Sequence, residues 1–192
     1  MKAALPPNEA ERIASLHEYR ILDTMPEAAY DEITHLASTI CGTPIALITL
    51  IDHDRQWFKS VVGLDLRETT REVAFCSHAI LESDLVVVPD LTRDPRFADN
   101  PFVADGPRFR FYAGAALITP EGHGLGTLCV VDTRPHDLTA NQRNALRALS
   151  RQVMTQLELR RHIRALEESV TERSEAEERL RSQAEQALYH QA

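Results

Sequence analysis

Small and apolar residues fill two stretches of the chain, Phe111 to Thr119 and Leu125 to Val131, on either side of a turn-rich segment with Pro120, Gly122 and Gly124. Apolar positions on both parities of a two-residue period predict adjacent antiparallel strands covered on both faces. Phe111, Ala113, Ala115 and Leu117 would face one way, and Tyr112, Gly114, Ala116 and Ile118 the other. Gly114 and the alanines leave room for a close approach, by a packed helix or by a small ligand. A second hairpin is predicted where the β-rich run Ile45 to Ile51 meets polar Asp52 to Arg55 and then Gln56 to Val62. Trp57 and Phe58 would put one ring on each face of that strand. Phe75 to Leu81 reads as a short helix, and Leu85 to Val88 as a short strand ended by Pro89.

Helical spacing brackets these strands. Asn8 and Glu11 have the spacing of a capping box ahead of Ile13, Leu16 and Tyr19, predicting a helix over 9–19. A second helix with Pro26 in its first turn presents Tyr30, Ile33, Leu36, Ala37 and Ile40 as one stripe toward the sheet, with Gly42 at its end. Beyond Pro135 there is neither Gly nor Pro, and Thr139 with Gln142 forms a capping box. The helix it opens would reach Ala192, about 80 Å at 1.5 Å per residue. Leu146, Leu149, Val153 and Leu157 suit packing on a domain. From Leu159 the spacing turns heptad, through Ile163, Leu166, Val170, Arg173, Glu177, Leu180, Ala184 and Ala187. That pattern predicts a parallel homodimer through Leu159, Ile163, Leu166, Val170 and Leu180, weakened where Arg173 and Glu177 sit on the seam. The chain thus divides into an N-terminal helix and linker (1–24), a domain (25–158) and a coiled-coil helix (159–192).

At 192 residues and 43% hydrophobic content, one good core is the expectation. A net charge of -8 with only two lysines, Lys2 and Lys59, argues against a nucleic-acid surface. The absence of an apolar run near 18 residues and of a signal pattern predicts a cytoplasmic chain without a membrane span. Cys41, Cys76 and Cys129 lack the spacing of a disulfide or zinc framework, and Cys41 suits a small buried position. No cofactor is required by these residues, and Asp52, His53 and Asp54 read as a solvated turn rather than a metal site.

The long segment Asp90 to Arg108 is rich in Pro, Asp and Arg, a loop length that is often functional. Arg93, Arg96, Arg108 and Arg110 could hold a carboxylate or phosphate, although Asp90, Asp94, Asp99 and Asp105 favour internal ion pairs. Asn100 and Pro101 suit fixing the loop. Cys76 and His78 could act as nucleophile and base or as ligands, but positions i and i+2 of a helix do not share a face.

The strands FYAGAAL and HGLGTLCVVD resemble the last two sheet strands of GAF domains, ligand-sensing modules of bacterial signalling proteins. The resemblance continues through RQWFKS (55–60), FCSHAI (75–80) and DPRFADNP (94–101), covering about Leu16 to Leu159. It implies an α+β fold: an antiparallel sheet of five or six strands, with N- and C-terminal helices on one face and a pocket of loops and short helices on the other. The ligand-binding candidates it implies are Phe58, Cys76, His78, Asp94, Arg96, Phe97, Arg110, Tyr112 and Thr127. Phytochrome-type relatives attach a bilin through Cys followed directly by His, whereas Ser77 intervenes here. The residue set of cyclic-nucleotide-binding members is not found. Free methionine sulfoxide reductases share the fold and use clustered cysteines, and Cys76 and Cys129 could meet across the pocket, but a strand thiol is more often core. The tail ERLRSQAEQALYHQA resembles the run-in to the phosphoacceptor helix of sensor histidine kinases, and similar stalks precede diguanylate cyclases. The resemblance therefore implies a non-enzymatic sensory module that passes a small-molecule or redox signal to a histidine kinase output. A ligand-free dimerisation spacer is the alternative.

Overall fold

In the computed structural model residues 2–189 are described, the side chains of 185 and 187–189 excepted. Six strands form one antiparallel sheet: β1 (Ile45–Ile51), β2 (Arg55–Val62), β3 (Glu68–Thr70), β4 (Val86–Val88), β5 (Phe111–Ile118) and β6 (Gly124–Asp132). Their order is β3-β2-β1-β6-β5-β4, so both predicted hairpins are present and meet where β1 pairs with β6. β3 has no counterpart among the expected elements: its three polar residues add an edge to Arg55–Trp57. Alternation along the strands sorts the side chains into two cores. Ala46, Ile48, Leu50, Trp57, Phe111, Ala113, Ala115 and Leu117 belong to one, and Leu47, Ile51, Phe58, Tyr112, Cys129 and Val131 to the other.

The first core is covered by α1 (Glu9–Glu18), α2 (Ala28–Cys41) and the opening turns of α5 (Ala140–Tyr189) through Leu146, Val153 and Leu157. Gly42 ends α2 in the left-handed conformation at φ 65°, the role the sequence predicts. The stripe predicted for α2 is corrected: Tyr30, Ile33, Ala37 and Cys41 are buried, together with Thr34, whereas Leu36 and Ile40 are exposed. Thr34 can take a buried position because its hydroxyl donates to Tyr30 O at 2.9 Å within the helix. Pro26 stands just ahead of α2, with Glu27 as the residue before its first turn.

The capping box predicted for α1 does not form, because Asn8 makes no side-chain cap bond. A buried charge cluster takes its place. Arg12, only 1% exposed, pairs with Glu9 and donates from Nη1 to the carbonyls of Ile51 (2.8 Å) and Gly124 (3.3 Å). Arg71 also binds Glu9 and reaches the carbonyls of Asp52 and His53. Burial works against ionising Glu9, but hydrogen bonds from Arg12 and Arg71 outweigh it and hold the carboxyl at about 2, below its ordinary 4.5. A depressed carboxylate stabilises the fold above its unfolded value and loses that contribution as pH falls through the folded one. The stability advantage of the parent over Glu9→Gln is therefore expected to shrink between pH 4.5 and pH 2. Up to about 3 kcal/mol should be lost in urea titrations across that range; a constant gap would show that the carboxylate charge is not what Arg12 and Arg71 stabilise.

Lys59 is a further buried cation, outside this cluster. Its Nζ donates to Thr24 Oγ1, Met25 O and Glu27 Oε1, fastening the segment before α2 to β2. At the other end of α2, the predicted box at the start of α5 is present: Gln142 N donates to Thr139 Oγ1, and Thr139 N donates to Gln142 Oε1. Gln142 Nε2 also donates to the carbonyls of Ile40 and Cys41.

The chain separates into two units at Leu157 and Glu158. In the second unit Leu159, Ile163, Leu166, Val170 and Leu180 are all exposed, between 46% and 67%. Arg173 pairs with Glu177 at 2.9 Å on the same helix. The predicted seam residue Ala187 and the predicted helix end at Ala192 lie outside the described side chains and residues. No helix among the described residues is long and apolar enough to cross a membrane.

Candidate functional site

The sheet face opposite the helices is roofed by α3 (Cys76–Ala79), α4 (Pro101–Ala104) and single 3-10 turns at Arg71–Val73 and Leu91–Arg93. Asn100 pins this roof as expected of a loop-fixing residue: its Oδ1 accepts from Phe102 N, and its Nδ2 donates to Val73 O at 2.9 Å. Phe75 lies at the centre, edge-on to Phe97 (5.3 Å), Tyr112 (5.5 Å) and Phe109 (6.5 Å). Residues predicted to line a pocket thus fill it. The space expected beside Gly114 is taken by Tyr112 itself, since a Cβ on Gly114 would lie 2.2 Å from the phenol oxygen.

Three of the predicted ligand residues, Phe58, Cys76 and Tyr112, line the cavity that remains, which holds about 40 Å³. That is space for a water-sized molecule rather than an amino acid or a nucleotide. Phe97 and Thr127 are buried in the same layer, with Thr127 Oγ1 3.2 Å from Thr49 Oγ1. The His78 ring stands edge-on to Phe97 at 4.9 Å. Arg96 is held by Asp94 at 2.7 Å and lies over the Phe97 ring. That hydrogen bond from Arg96 holds the Asp94 carboxyl below its ordinary range. Arg110 Nη1 donates to the carbonyls of Val103 and Phe109, both at 2.9 Å. These loop residues tie the roof together, and none of the three lines the cavity.

Cys76 and Cys129 do meet, with their sulphurs 3.7 Å apart and both residues buried. Tyr112 Oη donates to Cys76 Sγ at 3.4 Å. Burial pushes the Cys76 thiol up, but hydrogen bonds from Cys129, Thr127, Thr49 and Tyr112 outweigh it, so its pKa falls below the ordinary value. The bond to Cys76 and burial push Cys129 the other way. Of the pair, Cys76 ionises first. Burial alone raises the third thiol, Cys41, to about 11, and it sits in the other core.

Gln56 is a polar cavity residue that sequence reasoning missed. It is 6% exposed, its Nε2 donates to Thr69 Oγ1, and its Oε1 is buried with no hydrogen-bond partner. The alternation that places Phe58 on this face also places Gln56 there, and that was the available signal. Among the described residues, no group of three His, Cys, Asp or Glu side chains could hold a metal.

The GAF domain family matches residues 25–157, well over half of the chain. The chain belongs to the GAF domain family. Over 164 residues it is 42% identical to a cyclic di-GMP phosphodiesterase of Pseudomonas aeruginosa. The match covers 85% of this chain but 28% of that protein, so the chain spans under a third of this relative's length. Solved structures resemble it at lower identity. The GAF domain of an Acinetobacter phosphoenolpyruvate-protein phosphotransferase aligns with 85% of this chain and 99% of its own, at 13% identity and a TM-score of 0.57. A free methionine-R-sulfoxide reductase of Neisseria meningitidis, solved with its substrate, aligns with 85% of this chain and 98% of its own, at 15% identity and 0.58. At such identities these two show the fold alone. The expectation of a non-enzymatic module is corrected by the Pseudomonas relative, which is named for an enzyme activity on cyclic di-GMP.

Proposed function

We propose that this GAF chain is the sensory part of a protein acting on cyclic di-GMP as a phosphodiesterase, and that it controls turnover through α5. The 42% identity to the Pseudomonas phosphodiesterase carries this reading, over a match longer than residues 25–157 themselves. The exposed heptad side chains from Leu159 to Leu180 fit burial against a second copy of the helix. A change in the layer around Cys76 would then bias two packings of sheet and helix, and the paired stalk would carry the difference. Phosphodiesterase output replaces both kinase and cyclase in this account.

The test uses the native full-length protein and its Ile163→Asp, Leu166→Asp variant. The parent is expected to hydrolyse cyclic di-GMP and to run as a dimer in light scattering. The variant should dissociate at least tenfold more readily, with turnover changed several-fold. No turnover in the parent would overturn the output, and an unaltered dimer would overturn the seam.

The filled face favours a second reading, a ligand-free dimerisation and spacing module. Turnover that is indifferent to any change in the buried layer, in a protein that still dimerises, would be its signature.

A further inference from the structure

We propose that the small cavity beneath Leu66 is a hydroperoxide site, and that Cys76 and Cys129 are the thiol pair that reduces the peroxide and closes a disulfide. Three independent features converge there. The cavity holds about 40 Å³, enough for water or hydrogen peroxide and too little for an amino acid or a bulky organic hydroperoxide. Both thiols line it, and their sulphurs are only about 1.7 Å short of a 2.05 Å bond. Gln56 Oε1, a buried acceptor with no partner, belongs to the same lining and calls for a small molecule with a hydrogen to donate. Partly exposed Leu64, Val73 and Phe102 share the rim with Leu66, which is 42% exposed, so a solvent molecule has a short way in.

The chemistry balances without a further reagent. The Cys76 thiolate attacks one oxygen of hydrogen peroxide, the O–O bond breaks, and hydroxide leaves to become water with the proton Cys76 gave up. A sulfenic acid remains on Cys76. Cys129 attacks that sulphur, the S–S bond forms, the S–O bond breaks, and the departing hydroxide takes the Cys129 proton as a second water. Two thiols are oxidised and one peroxide is reduced to two waters. Tyr112 is a positioning residue here, holding Cys76 Sγ through its hydroxyl. This deepens the sensor reading by naming its signal, yet thiol mapping and cyclic di-GMP turnover are separate measurements, so either can fail alone.

The experiment treats the reduced full chain with hydrogen peroxide near neutral pH, blocks remaining thiols with an alkylating agent, and maps peptides by mass. A Cys76–Cys129 cross-link with Cys41 still alkylated is expected. Cys129→Ser should leave a dimedone-reactive sulfenic acid on Cys76, while Cys76→Ser should leave Cys129 unoxidised. Tyr112→Phe should move the pH dependence of cross-linking upward. Gln56→Leu should slow cross-linking by hydrogen peroxide at least fivefold while leaving cross-linking by diamide, which needs no peroxide site, within twofold. Oxidation confined to Cys41, or sulfinate on Cys76 without a cross-link, would overturn the pair. Equal slowing with both oxidants, or with neither, would overturn the peroxide site.

Discussion

Gly126→Ala is expected to destabilise the domain by about 3–5 kcal/mol, because the added methyl meets backbone rather than a mobile side chain. Its Cβ would lie 1.8 Å from Thr49 O and 2.8 Å from Leu50 Cα. Gly126 is paired with Leu50 on β1 and with Leu117 on β5, so the clash falls where the two hairpins join. No rotamer relieves it, and the strands have to separate. Thermal unfolding followed by circular dichroism should show a midpoint lower by roughly 10 °C or more. A shift under about 2 °C would mean that the β1–β6 ladder yields far more easily than its geometry implies.

Arg12→Met comes next in size, at about 2–4 kcal/mol. Methionine keeps most of the buried volume but removes the donor to the carbonyls of Ile51 and Gly124, and leaves Glu9 with Arg71 as its remaining cationic partner in the cluster. The loss arises from the charge and acceptors left behind. Accordingly, Glu9→Gln made in the Arg12→Met background should recover about 1 kcal/mol or more in denaturant titrations, whereas Glu9→Gln in the parent should destabilise. Strictly additive effects would show that the two side chains act separately.

Much of the architecture was legible because periodicity reports burial directly. The apolar run on both parities of Phe111–Ile118 anticipated a strand covered on two faces, and Thr139 with Gln142 anticipated the start of α5. Other features were illegible for physical reasons. β3 has only Glu68, Thr69 and Thr70, too short and too polar to show a period, and it exists because Arg55–Trp57 offers it an edge. Arg12 on α1 carries no sign of burial in the sequence, since no local pattern reveals that carbonyls 39 and 112 residues away will accept from it. The stripe on α2 was drawn too wide, because Leu36 and Ile40 share its spacing while the sheet covers only one side of it.

The candidate site shows the same division. Aromatic and sulphur-bearing residues were assigned to the right face, but sequence cannot tell a lining ring from a filling one, which depends on how far the roof closes. The meeting of Cys76 and Cys129 was open to inference once α3 lay over β6. The unpaired carbonyl of Gln56 was not, because hydrogen-bond vacancy is a property of three dimensions alone.

Gln142 gives the helical layer a mechanical property. Its backbone and carbonyl oxygen close the first turn of α5, while its amide nitrogen holds the last carbonyls of α2. One side chain thus bolts the beginning of one helix to the end of another. Torque about the axis at the start of α5 has to be shared with α2, and the two helix ends turn as a geared pair.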